Sequence, residues 1–334
     1  MRLNRLTVFE IGLNTYRLES LGRINCYLLF GSKRGILIDC GFGLEPIKPV
    51  IDKLCPVPYD VCITHADGDH IGAFYEWNQV WLHPADNDLA HDLEHINFQR
   101  FTGMHTTFNP MIVKEPGDEP NDYYHMEELK PKVLTPDDYP ELLPLEDKQV
   151  FDLGGGRKVT VVLVPGHTMG STVYIDNETR ALYSGDAISA ASDIKLITAT
   201  AGYHNMDRLL KEYGDQFDRV YPAHTGIGPG AVNMNYSLPK RIISDYRDIC
   251  RSIVEGTAEI KVHGGEPNPD FPQDKEKQNR NADGKPPVKN PDEKQAEGVV
   301  EIAHPYGAMQ HFNFRPDQII ADGEIPITEK QPEE

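Results

Sequence analysis

No run of about 18 apolar residues occurs anywhere in this chain, so nothing in it reads as a bilayer-spanning helix. The opening residues, Met1-Arg2-Leu3-Asn4-Arg5-Leu6-Thr7, lack the apolar centre of a secretory leader. Cysteine is scarce: Cys26, Cys40, Cys55, Cys62 and Cys250 are odd in number and have no zinc-site spacing. They read as reduced core residues, and the expected compartment is the cytoplasm. Basic residues are outnumbered, 33 Lys and Arg against 52 Asp and Glu, for a formal net charge of −19. That balance argues against nucleic acid and against an anionic membrane surface, since both need clustered cations. A small-molecule substrate is the expected partner, with a homodimer left open.

What is present is the composition of a globular protein, 39% hydrophobic and 25% charged. Residues 7–40 read as a strand meander, with Tyr27–Phe30 and Gly35–Ile38 as buried strands ending at Asp39-Cys40-Gly41. Leu44, Ile47, Val50, Ile51 and Leu54 have helical spacing, and Trp77 to Leu82 reads as another strand. Residues 84–148 stand out as an insertion: a helix from Pro84 to Arg100, then a Pro-rich acidic stretch of the kind that forms lids or binding loops. Gly154-Gly155-Gly156 lies between two strands and opens no helix, which makes it a hairpin turn and not a phosphate loop. Helical periodicity returns at 207–216 and 238–254. The expected organisation is a main domain over 1–255, a linker or long loop over 256–298, and a C-terminal strand pair and tail over 299–334.

The chemistry concentrates in four short segments. Thr64-His65-Ala66-Asp67-Gly68-Asp69-His70 follows the apolar run Val61-Cys62-Ile63. Pro165-Gly166-His167-Thr168, Ser184-Gly185-Asp186 and Pro222-Ala223-His224-Thr225 come later, each after a β-branched or aromatic run. A strand that ends in a tight turn presents its next side chains at the rim of a sheet. Ligands from distant parts of the sequence can converge there.

This pattern, His-x-Asp-x-Asp-His followed by His, Asp and His, resembles that of the metallo-β-lactamase superfamily over roughly residues 7 to 255. One departure is visible: Asp67 stands where the family usually has its second histidine. The resemblance implies an α+β fold, a four-layer αβ/βα sandwich with the site at the edge of two sheets. It also implies a dinuclear centre with His65, Asp67 and His167 on one ion, Asp69, His70 and His224 on the other, and Asp186 bridging. Two divalent ions, zinc or iron or manganese, are the expected cofactors. The implied activity is hydrolysis of a small ester, thioester, lactone or amide by a metal-bound hydroxide, with Asp69 assisting proton transfer. Asp67 adds a carboxylate, so three aspartates and a hydroxide balance the charge of two divalent ions, and the donor set moves toward oxygen. In the other reading of Asp67 it points away and a single ion binds.

Two further functions stay open. Di-iron oxygen or nitric oxide reductases of the superfamily also carry a carboxylate at the second position, and a metal-retaining binding protein would keep the site without turnover. Lactone-cleaving members carry a tyrosine soon after the bridging aspartate; here Ala187-Ile188-Ser189 follows. His91-Asp92-Leu93-Glu94-His95 matches an inverted zinc-peptidase pattern but reads as a solvated helix face. Asp39, Thr64 and Thr168 are candidates to hold the ligand turns, and Tyr203 and His204 are candidates for the pocket wall.

Overall fold

Two sheets share one inner core. The computed structural model describes residues 2–3, 6–20, 24–44, 46–106, 132–189, 196–224, 237–257, 298–303 and 309–314, those before 6, after 100 up to 106 and after 297 as backbone alone. The first sheet holds β1 (Arg2–Leu3), β2 (Leu6–Gly12), β3 (Thr15–Glu19), β4 (Asn25–Phe30), β5 (Gly35–Ile38), β6 (Tyr59–Cys62), β7 (Gln79–Leu82) and β8 (Glu141–Pro144), in that spatial order. Its first five strands form the antiparallel meander, and β5 to β8 run parallel. The second sheet is ordered β14 (Leu238–Pro239), β13 (Arg219–Pro222), β12 (Ala181–Gly185), β11 (Thr172–Asp176), β10 (Arg157–Leu163) and β9 (Val150–Gly154), with only β12 and β13 parallel.

Period-two burial divides each strand between layers. On β4, Tyr27 and Leu29 face the second sheet while Cys26, Leu28 and Phe30 face outward. On β11, Tyr174 faces inward and Val173 and Ile175 face outward. The outer face of the second sheet is covered by α5 (Ala199–Tyr213) and α6 (Arg241–Val254). Their apolar stripes, Tyr203, Met206, Leu209 and Tyr213 against Ile242, Tyr246, Ile249 and Ile253, have helical spacing. Thr198 caps α5 by accepting from the Ala201 N–H. The outer face of the first sheet is covered by α1 (Lys48–Leu54), α2 (Gly68–Ile71), α3 (Asn87–His91) and α4 (Leu93–Thr106). Helix, sheet, sheet and helix make the expected four-layer sandwich.

Several elements differ in extent from the sequence reading. The first helix begins at Lys48 rather than near Leu44, because Pro49 favours a helix start. The helix expected over 207–216 begins at Ala199, where the Thr198 cap lies. Within 84–148, a 3₁₀ turn at Pro84–Asp86, two helices and β8 pack on the first sheet; residues 107–131 lie outside those described. Buried Arg100 fastens α4 by donating to the carbonyls of Phe42, Gly43 and Lys132. The three glycines do form the β9–β10 hairpin turn, all at positive φ (86°, 68° and 92°). Of residues 256–298, read as a linker or long loop, 258–297 fall outside the described set and Gly298 opens a strand. Beyond them β15 (Gly298–Ala303) and β16 (Met309–Phe314) pair antiparallel with each other. No helix among the described residues is long and apolar enough to cross a membrane.

Candidate metal centre

Parallel pairing brings the ends of β5 and β6 side by side in one sheet and those of β12 and β13 in the other. The two sheets are stitched at this edge. Thr172 N–H donates to Thr64 O at 2.9 Å, Tyr174 Oη to Ile63 O at 2.8 Å, Asn25 N–H to Ala223 O at 2.7 Å and Tyr27 Oη to Pro222 O at 2.6 Å. The turns that carry His65–His70, His167 and His224 are therefore anchored within a few residues of their chemistry.

All seven sequence-derived candidates converge at this edge. His65, His167 and Asp186 place one ligand atom each within 4.8 Å of one another, and so do Asp69, His70 and His224. Asp186 Oδ2 lies between the groups, 3.2 Å from His224 Nε2, 3.6 Å from His70 Nε2 and 3.8 Å from His167 Nε2. Asp67 Oδ2 is 3.0 Å from His167 Nε2 and 3.5 Å from His65 Nε2, so it closes the first group. Asp67 is also the N-cap residue of α2, yet its side chain makes no cap hydrogen bond. Its carboxylate turns toward the histidines, against the reading in which it points away.

The donors are oriented by hydrogen bonds. Asp39 accepts from Thr64 N–H (2.7 Å), Thr64 Oγ1–H (2.9 Å) and His70 Nδ1–H (2.9 Å). With its proton committed to Asp39, Thr64 Oγ1 accepts from His65 Nδ1 at 3.0 Å. Both imidazoles thereby keep their Nδ1 protons and turn Nε2 inward. Gly185 permits the close fit: its φ is +52°, and a Cβ there would meet Thr64 Oγ1 at 2.5 Å.

These atoms fit a cation. His65 Nε2, His70 Nε2 and Asp186 Oδ1 are buried and have no hydrogen-bond partner. Buried polar atoms are ordinarily paired, and two bare imidazole nitrogens beside carboxylates are the donors a divalent transition metal takes. Burial works against the charge of Asp67, but the hydrogen bond with His167 and the nearby His65 imidazole outweigh it and hold the carboxyl well below the usual range. For Asp69 and Asp186 burial is likewise outweighed, by His70 and His224 acting together. Burial lowers His70 and His224, yet Asp69 and Asp186 raise both, His224 to about 10. Such a cluster exchanges imidazole protons for cations.

The other candidates separate cleanly. Tyr203 is a core residue whose hydroxyl accepts from Arg251, and His204 is exposed. His91 ends α3 and stacks on Tyr139, while His95 lies in α4 beyond a break at Asp92, so the two share no helix face. A buried carboxylate at Asp86, in the 3₁₀ turn after β7, was missed by the sequence reading. It accepts from Ala66 N–H, Thr168 Oγ1–H and Gly170 N–H. Nothing in the local sequence points to these partners, the nearest of which is 20 positions away.

The profile of the Metallo-beta-lactamase superfamily matches residues 20–227. Acyl-coenzyme A thioesterase MBLAC2 of Gallus gallus is 29% identical over 265 residues, covering 73% of this chain and 88% of that protein. The Homo sapiens protein of the same name is 26% identical over 222 residues, covering 62% and 74%. Among solved structures, a metallo-beta-lactamase from Pontibacter korlensis aligns at 16% identity with a TM-score of 0.46, covering 74% of this chain and 99% of that one. The chain belongs to the metallo-beta-lactamase superfamily and is a hydrolase of that fold.

Proposed function

We propose that this hydrolase cleaves a small thioester of the acyl-coenzyme A class, using two divalent cations. His65, Asp67 and His167 would hold one ion, Asp69, His70 and His224 the other, and Asp186 both. The observation that carries the reading is the pair of donor groups sharing Asp186 at one sheet edge. The thioesterase names of the relatives support the substrate class. When bound, such ions supply Lewis acidity toward a carbonyl oxygen and bring the pKa of water from about 15.7 toward 7.

The chain's own groups do the rest. Asp39 and Thr64 keep the His70 and His65 rings fixed in one tautomer, so the donors are set before substrate arrives. Asp69, 3.2 Å from His224 Nε2, is placed to take a proton from water and return it to the departing sulfur. Water adds to the thioester carbon and the C–S bond breaks; the thiol leaves with the proton carried by Asp69, and the acid formed releases water's other proton to solvent as it becomes a carboxylate. The carboxylate Asp67 favours a harder ion than an all-imidazole site does, which directs metal analysis to manganese and iron as well as zinc.

The test is thiol release from acetyl- to palmitoyl-coenzyme A, with lactone, ester and amide substrates alongside. Hydrolysis of at least one thioester should stop with a chelator, return on adding metal, and fall at least 100-fold in Asp69→Asn. Metal-loaded protein that leaves the whole panel intact contradicts the reading. Iron with substrate-linked oxygen or nitric oxide consumption would replace it with the redox alternative.

A further inference from the structure

We infer that Asp86 is the positioning residue of one metal position and not of the other, an assignment that rests on the dinuclear reading above. Its carboxylate is 2% exposed. One oxygen, Oδ2, accepts from Ala66 N–H at 3.1 Å and from Thr168 Oγ1–H at 2.7 Å. Ala66 stands between His65 and Asp67, and Thr168 follows His167. A single atom thus ties together the two turns that carry all three exclusive ligands of the first ion, turns about 100 positions apart. The second oxygen accepts from Gly170 N–H at 2.7 Å and fixes the far side of the His167 turn.

The other group is held differently. His70 is oriented by Asp39, and His224 stands at the end of β13, bridged to Ile24. Asp69 lies beside His70 in α2, and the bonds of Asp86 go to Ala66, Thr168 and Gly170, to none of these three ligands. The site therefore has two buried aspartates outside the donor set. Of the two, Asp39 bonds only within the first half, whereas Asp86 joins the His65 turn of the first half to the His167 turn of the second.

The packing leaves no slack. A Cβ on Gly170 would lie 2.6 Å from Asp86 Cγ, so the glycine is what lets the carboxylate reach both turns. All three partners are donors, which makes an amide at position 86 a misfit in either orientation: one N–H would face another. Glutamate would carry the carboxylate too far.

Full-length protein, stripped of metal and titrated with Zn²⁺ or Co²⁺ by calorimetry, tests the inference. Wild type should show two bound ions. Asp86→Asn and Thr168→Val should each weaken one by about 10- to 100-fold and leave the other unchanged. Gly170→Ala should match Asp86→Asn, and Thr168→Ser should restore wild-type binding because it keeps the hydroxyl. If Asp86→Asn does not fold, the valine and serine variants at 168 carry the same comparison. Two ions in wild type with unchanged binding in the variants overturns the assignment and leaves the function standing, as does equal weakening of both ions. Wild type that binds no metal overturns both.

Discussion

Asp39 shows how one residue sets a site it does not enter. Its backbone is left-handed, φ +61°, a conformation uncommon outside glycine. That bend turns the carboxylate back under Thr64 and His70. Asp39→Asn should lower metal affinity by about 10- to 100-fold, measured by competition with a chromophoric chelator. Unchanged affinity would mean that the His70 ring is oriented by packing alone. The convergence of the seven candidate ligands was legible in the sequence because each is a ligand-type side chain in a turn directly after an apolar run. Asp39 was legible as a neighbour of the His65 turn. Asp86 was not, since its role lies in backbone N–H groups brought to it only by folding.

Among the elements, α5 has a second task besides covering the sheet. Asn205 Nδ2 donates to Pro165 O, and Arg208 donates to Leu163 O and pairs with Asp147, so the helix grips the strand end that leads to His167. Burial raises the Asp147 carboxyl, but hydrogen bonds from Arg208 and the Leu163 N–H outweigh it and hold it below the usual carboxylate value. A depressed folded value means that the stabilisation is present above the unfolded pKa, about 3.9, and is lost as pH falls through the folded value. Asp147→Asn should therefore unfold at lower denaturant than wild type at pH 6, with the gap closing below pH 4. A gap that stays constant with pH contradicts an ionic role. The α5 start was misread because the stretch Ala199-Thr200-Ala201-Gly202 has little apolar periodicity; its helix is set by the Thr198 cap and by Gly202, which lets α6 approach.

At the scale of the whole molecule, the sandwich exists to bring two sheet edges together. Arg157 of β10 pairs with Asp176 and donates to Leu13 O, Asn14 O, Phe30 O and Thr15 Oγ1, a buried link between the sheets away from the site. The buried strands were legible as short apolar runs, such as Tyr27–Phe30 and Gly35–Ile38, while the layering came from the family resemblance. Residues 84–148 read as an insertion because of their length and Pro-rich acidic stretch, yet Ala90, Ile96 and Leu134 lie in the outer core and β8 extends the first sheet. The central claim is that this architecture holds two cations, and elemental analysis of gently purified protein tests it most directly. The account predicts close to two transition-metal ions per folded chain, fewer in Asp67→Ala; folded wild-type protein that carries none contradicts it.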